Sequence, residues 1–152
     1  MSIREATTTD IAQIQLVRNL VKENTLSNPN LVTNEDCKLF LTERGKGWVY
    51  EIENKIVGFA IADLMAQNVW ALFVHPDFDR RGIGRKLHDT MLDWYFGKTK
   101  KTIWLGTAAK TRAETFYRVA GWQETGMHSK NEIKFEMTYT QWMFRSNKKA
   151  EQ

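Results

Sequence analysis

Residues 68–87 read NVWALFVHPDFDRRGIGRKL, and no other stretch limits the fold as tightly. Val69 to Val74 are apolar at every position, as in a strand covered on both faces. Pro76 has no backbone N–H to offer a ladder, so the strand ends there. Ile83, Leu87, Met91 and Tyr95 then recur on one helical stripe that stops near Gly97. Between strand and helix stands Arg80-Arg81-Gly82-Ile83-Gly84-Arg85.

The first N–H groups of a helix lack helical partners, and its dipole favours negative charge there. Glycines at 82 and 84 remove side chains that would hold an anion away from those groups. Arg80, Arg81 and Arg85 add forked donors suited to phosphate oxygens. The combination reads as a diphosphate cradle, and a basic surface turn without a ligand is the alternative reading of the same residues. It is not a dinucleotide loop, because the position for a third glycine is Leu87. Nor is it a Walker loop, whose Gly-Lys-Ser/Thr ending is missing.

The remaining elements follow from periodicity. Ile3 to Ala6 suit a short strand, and Thr8 or Thr9 caps a helix with Ile11, Ile14, Leu16, Val17, Leu20 and Val21 on its apolar face. NTLSNPNLVTN is a loop, and a second helix starts at Asn34, carries Cys37, Phe40 and Leu41, and stops near Gly45 or Gly47. WVYEIEN and IVGFAIADLM form a hairpin turning at Asn54-Lys55. KTIWLGTA is a strand, and Thr111 with Glu114 makes a capping box for a short helix that Gly121 ends. Its inner face carries Ala113, Phe116, Tyr117 and Ala120. Two last strands follow, the second alternating through Ile133, Phe135, Met137 and Tyr139. The order β-α-α-β-β-β-α-β-α-β-β implies an α/β fold of three layers, a mixed sheet covered by helices.

No repeat or linker divides the 152 residues, so a single domain over residues 1–152 is expected. The formal charge of +4 suits anionic ligands, but the basic residues are scattered and no recognition helix stands out, which argues against nucleic acid. The N-terminus has no signal-peptide pattern, and the longest apolar run, Ile56 to Ala62, is too short for a membrane. One cysteine, Cys37, permits no internal disulfide. A cytoplasmic protein is expected, with no membrane partner and no metal.

HPDFDRRGIGRKL after ALFV, with RAETFYRVAGW later, resembles the GCN5-related N-acetyltransferase (GNAT) family over nearly the whole chain. That family's loop signature has Gln or Arg, two residues, Gly, one residue, then Gly or Ala. Here Asp79 occupies the first position and puts a negative charge beside the expected diphosphate. The second signature often begins with Asn where this chain has Lys110. The resemblance implies a three-layer α-β-α fold whose mostly antiparallel sheet is splayed between two parallel strands. It implies acetyl-CoA as co-substrate and a primary amine, as a small molecule, as acceptor, joined by direct attack through a tetrahedral intermediate.

The resemblance also implies roles. Main-chain groups of Phe73 and Val74 would hold the pantetheine arm and polarise the thioester carbonyl. Arg80, Arg81, Gly82, Ile83, Gly84 and Arg85 would bind the diphosphate, with Lys110 reaching a CoA phosphate. Tyr117 would protonate the departing thiolate, and a core tyrosine at helical spacing is the other reading of that position. No general base is assigned: Gln67 and Asn68 stand where some relatives have a glutamate, while His75, Asp63, Glu51 and Glu136 are candidates. Asn24 to Asn34, Trp48 to Tyr50 and His128 to Glu132 would shape the acceptor side. Protein N-terminal or lysine acetylation, and a non-catalytic CoA-binding regulatory module, remain as alternatives. The one macromolecular assembly left open is a homodimer.

Overall fold

A computed structural model describes residues 2–21 and 32–151. It holds two compact units, Met1–Tyr95 and Phe96–Gln152. The loop expected over Asn24 to Asn34 lies outside the described residues as far as Leu31.

In the first unit, β1 (Ser2–Glu5), β2 (Gly45–Ile52), β3 (Lys55–Asp63) and β4 (Asn68–Val74) pair antiparallel in sequence order. The β2–β3 turn is Glu53-Asn54, not the expected Asn54-Lys55. Both residues have positive φ, 51° and 65°, the conformation that matches a two-residue turn to strand twist. Helices α1 (Ile11–Leu20) and α2 (Asn34–Leu39) follow β1, and α2 runs on through a wider turn over Phe40–Arg44.

The cap before α1 is neither Thr8 nor Thr9. Thr7 leads a short 3-10 turn, where the Asp10 carboxylate accepts the Thr7 N–H at 2.8 Å. Arg4 donates to both oxygens of that carboxylate at 2.9 Å and holds it well below the usual carboxylate range. The apolar face of α1 also differs from the expectation. Ile11, Ile14 and Val17 are buried, whereas Leu16 and Leu20 are exposed. The fourth buried residue of the helix is Arg18. Ile14 and Val17 pack with Val49, Ile56, Phe59, Ile61 and Ala71 from the strands.

Helix α3 (Ile83–Lys98) carries the expected stripe of Ile83, Leu87, Met91 and Tyr95, all buried. Gly58 of β3 lets it approach closely: a Cβ there would meet Leu87 Cδ1 at 3.1 Å and Ile83 Cγ2 at 3.3 Å. The start of α3 is thereby set against β3.

The second unit has β5 (Ile103–Ala108), α4 (Arg112–Val119), β6 (Gln123–Ser129), β7 (Glu132–Met137) and α5 (Tyr139–Glu151). β7 pairs antiparallel with both β5 and β6. Gly121 takes φ +99° after α4, as the expected helix stop requires. Tyr139 does not continue β7, because it begins α5, an element absent from the expected order. Thr138 and Gln141 exchange side chain-to-backbone hydrogen bonds at 2.9 and 3.1 Å, a capping box that starts the helix.

Candidate active site

Strand β4 is irregular where the site begins. Ile61 pairs with Ala71 but Ala62 pairs with Val69, so Trp70 is an extra residue in the ladder. Such a bulge bends a strand and re-aims its side chains. Trp70 stacks on Phe40, ring centroids 4.0 Å apart and planes 9° from parallel. Beyond the bulge Phe73 pairs with Phe59 and Val74 with Gly58, so the two residues expected to bind through their main chains end the paired part of β4.

The strand closes with the His75 N–H donating to Val57 O at 2.7 Å. Pro76 then opens a 3-10 turn, and the Asp77 N–H donates to His75 Nδ1 at 3.1 Å. That bond makes the imidazole a cap of the turn.

The glycine loop contains two left-handed residues. Arg80 has φ +61° and Gly82 φ +78°, and turns built on left-handed residues can gather N–H groups around an anion. A Cβ on Gly82 would meet nothing within 4 Å, so the space before this turn is open. The Lys86 N–H donates to Gly82 O at 3.1 Å, so the N–H groups of Ile83, Gly84 and Arg85 belong to the first helical turn, where helix geometry supplies no partner. Arg80 and Arg81 are exposed, and the Arg81 guanidinium lies 5.1 Å from the Phe78 ring. Arg85 is drawn along the helix to Asp89 at 3.3 Å. Asp79 accepts the Arg80 N–H at 3.0 Å, so one donor of the loop is already engaged by a carboxylate.

In the second unit Tyr117 is 7% exposed, edge-on to Phe116 and Trp122, and tilted against Phe135. Burial pushes its phenol well above the ordinary tyrosine range, so it carries its proton at neutral pH. Lys110 sits at φ +63° just before α4 with its side chain exposed, and its N–H donates to Glu114 at 2.8 Å. Thr111 accepts the Glu114 N–H at 3.3 Å. The expected capping box is thus displaced by one residue: the Glu114 side chain returns to Lys110, not Thr111. This bond, seconded by Arg118, lowers the Glu114 pKa.

Two of the carboxylates considered as bases are engaged. Asp63 is 2% exposed, accepts from Arg44 at 2.9 Å, and accepts the Met65 and Ala66 N–H groups at 3.0 and 3.1 Å. Glu51 accepts from Arg4 at 2.6 Å. Glu136 lies 3.8 Å from Lys134. Trp48 and Tyr50 are both 5% exposed, and Trp48 packs edge-on against Trp94, so neither forms a surface. His128 lies against Trp104, ring centroids 4.9 Å apart.

Arg18 is the residue that periodicity missed. It stands four positions after Ile14 and seven after Ile11, on the buried face, and its guanidinium lies 5.1 Å from the rings of Trp70 and Phe73. A charged residue at a face position was the available signal.

A strand, a left-handed glycine turn and a helix start are a common frame for binding an anion. The sequence matches the model of the acetyltransferase (GNAT) family over residues 11–122, and the chain belongs to that family. The fold is shared with a PaiA N-acetyltransferase from Thermoplasma acidophilum in complex with coenzyme A: TM-score 0.79, 13% identity, 91% of this chain and 98% of that one. It is shared with a ribosomal-protein-alanine N-acetyltransferase from Brucella melitensis: TM-score 0.74, 22% identity, 91% and 99%. Ard1 from Thermoplasma volcanium matches at TM-score 0.74 and 20% identity over 90% and 96%. No curated protein sequence matches the chain.

Proposed function

We propose that the protein is a single-domain N-acetyltransferase moving the acetyl group of acetyl-CoA to a primary amine on a small molecule. The observation that carries this is the loop from Asp79 to Arg85, with left-handed φ at Arg80 and Gly82 and open space before Gly82. Left-handed residues beside exposed arginines, just before a helix start, suit an anion. The backbone of Gly82, Ile83 and Gly84, with Arg80, Arg81 and Arg85, fits a diphosphate, and Lys110 reaches a further phosphate. When bound, acetyl-CoA supplies the acyl group as an activated thioester.

The chain's own residues do the rest. Main-chain groups of Phe73 and Val74 orient the acyl carbonyl and favour charge on its oxygen. The Tyr117 phenol, kept protonated by burial, gives its proton to the leaving sulfur. No side chain is assigned as base. Asp63 and Glu51 are held in ion pairs, Glu136 lies 3.8 Å from Lys134 and His75 Nδ1 caps its turn, so the amine proton is passed to water. Among the described residues no helix is long and apolar enough to cross a membrane, and we place the protein in the cytoplasm.

A protein acceptor is the second reading, favoured by the names of two proteins with this fold, one a ribosomal-protein-alanine N-acetyltransferase and the other Ard1. The first test is a thermal shift with acetyl-CoA and CoA against NADH and ATP. A rise with the CoA pair alone supports the reading, and no rise with either overturns it. With an acceptor in hand, Tyr117→Phe is expected to lower kcat by roughly 100-fold with CoA affinity unchanged. Undiminished turnover would remove the acid role.

A further inference from the structure

Arg18 carries a charge that the described residues leave unanswered. It is 7% exposed, and its Nε and Nη2 have no hydrogen-bond partner among the described residues. Three aromatic rings enclose it: Trp70 and Phe73 at 5.1 Å and Phe59 at 5.9 Å. Ring faces attract a guanidinium but do not replace the hydrogen bonds lost from water. Arginine does not escape by deprotonating, because its pKa is too high. Cys37 is close enough to interact with it electrostatically, yet burial pushes the thiol pKa up, so it stays neutral and supplies no counter-charge.

The unpartnered atoms specify the missing group. Nε–H and one Nη2–H are the parallel pair along one side of a guanidinium, matched in spacing to the two oxygens of a carboxylate. Charge points the same way. One carboxylate neutralises one arginine, whereas a phosphate dianion needs a second cation. Arg44, over the Phe40 ring that stacks on Trp70, is tied to Asp63 at 2.9 Å. Phe73, whose ring Arg18 faces, is also the residue whose main chain is proposed to hold the acyl group. A ligand bound to Arg18 therefore lies against the strand where transfer is proposed to occur.

We infer that Arg18 binds a carboxylate of the acyl acceptor, so that the substrate is an amino acid or another small amine bearing a carboxylate. The role as acceptor rests on the acetyl-transfer reading, but carboxylate binding at Arg18 does not. The test is calorimetric titration of the full chain, free and saturated with CoA. The probes are amino acids paired with their decarboxylated amines: phenylalanine with phenethylamine, tyrosine with tyramine, histidine with histamine, lysine with cadaverine.

At least one amino acid is expected to bind, and its amine roughly 10- to 100-fold more weakly. Arg18→Gln should weaken the amino acid by the same factor and leave the amine unchanged. Arg18→Lys, with charge but no fork, should fall between them. If no pair shows a carboxylate-dependent difference in the wild-type chain, the inference is wrong, whatever the variants do. The same holds if Arg18→Gln binds as the wild type does, or if only an acidic peptide binds. An amino acid that binds through Arg18 but releases no thiol from acetyl-CoA would sink the transfer reading alone and leave the carboxylate site standing.

Discussion

Among the charged side chains buried in the first unit, Asp63 and Arg18 are treated in opposite ways. At the end of β3 Asp63 meets Arg44 and two backbone N–H groups, with all contacts between 2.9 and 3.2 Å. On α1 Arg18 meets three ring faces and leaves two N–H-bearing nitrogens unanswered among the described residues. Asp63 closes the turn between β3 and β4, because its carboxylate accepts the Met65 and Ala66 N–H groups. Nothing comparable depends on Arg18. A buried charge whose partners are complete is part of the scaffold. One whose partners are incomplete is the kind we propose for a ligand, and the glycine loop is proposed to belong with Arg18.

The largest test is to remove the complete case. Asp63→Ala removes the carboxylate that Arg44 and two backbone N–H groups share, and should lower folding stability by about 3–5 kcal/mol. A denaturant midpoint measures it. A loss below about 1 kcal/mol would mean that the two charges do not differ as argued.

Gly82→Asp then makes the loop resemble the Asp63 corner by giving it a carboxylate of its own. The residue at φ +78° must be strained by about 1 kcal/mol, but nothing stands within 4 Å to clash with it. Stability should therefore change little, while CoA affinity falls by roughly 100-fold through charge and lost approach. Unchanged affinity would remove the phosphate reading of the loop. Asp79→Ala runs the other way. It frees the Arg80 N–H and removes a negative charge, so CoA should bind about 2- to 5-fold more tightly at low salt. A weaker complex would mean that Asp79 shapes the loop for its ligand.

The comparison also marks how far residue patterns reach. The loop and the α3 stripe were legible, because strand, glycine turn and helix are local and their periods are strong. The start of α5 was written in Thr138 and Gln141 as well, but Tyr139 extends the alternation of β7 and hid it. Arg18 went unread for a physical reason. Leu16 and Leu20 are apolar and near the right phase, so they filled the expected face, while the true face turns through Arg18 to solvent-shielded aromatics. The Asp63–Arg44 pair and the Trp70 bulge were out of reach, since both depend on the register between strands.

The smallest expected effect is the most decisive for the contrast. Arg18→Met keeps the length of the side chain and removes a charge for which the described residues provide no hydrogen bond at Nε or Nη2. Replacing a buried charge by an apolar group of similar volume is often neutral or stabilising. What is lost is attraction to Trp70, Phe73 and Phe59, on the order of 1–2 kcal/mol. What is regained is desolvation of the same order or more. The ligand-free variant should therefore unfold within about 1 kcal/mol of the wild type, on either side. A loss as large as that for Asp63→Ala would show that Arg18 is scaffold after all, with its aromatic cage as its complete set of partners.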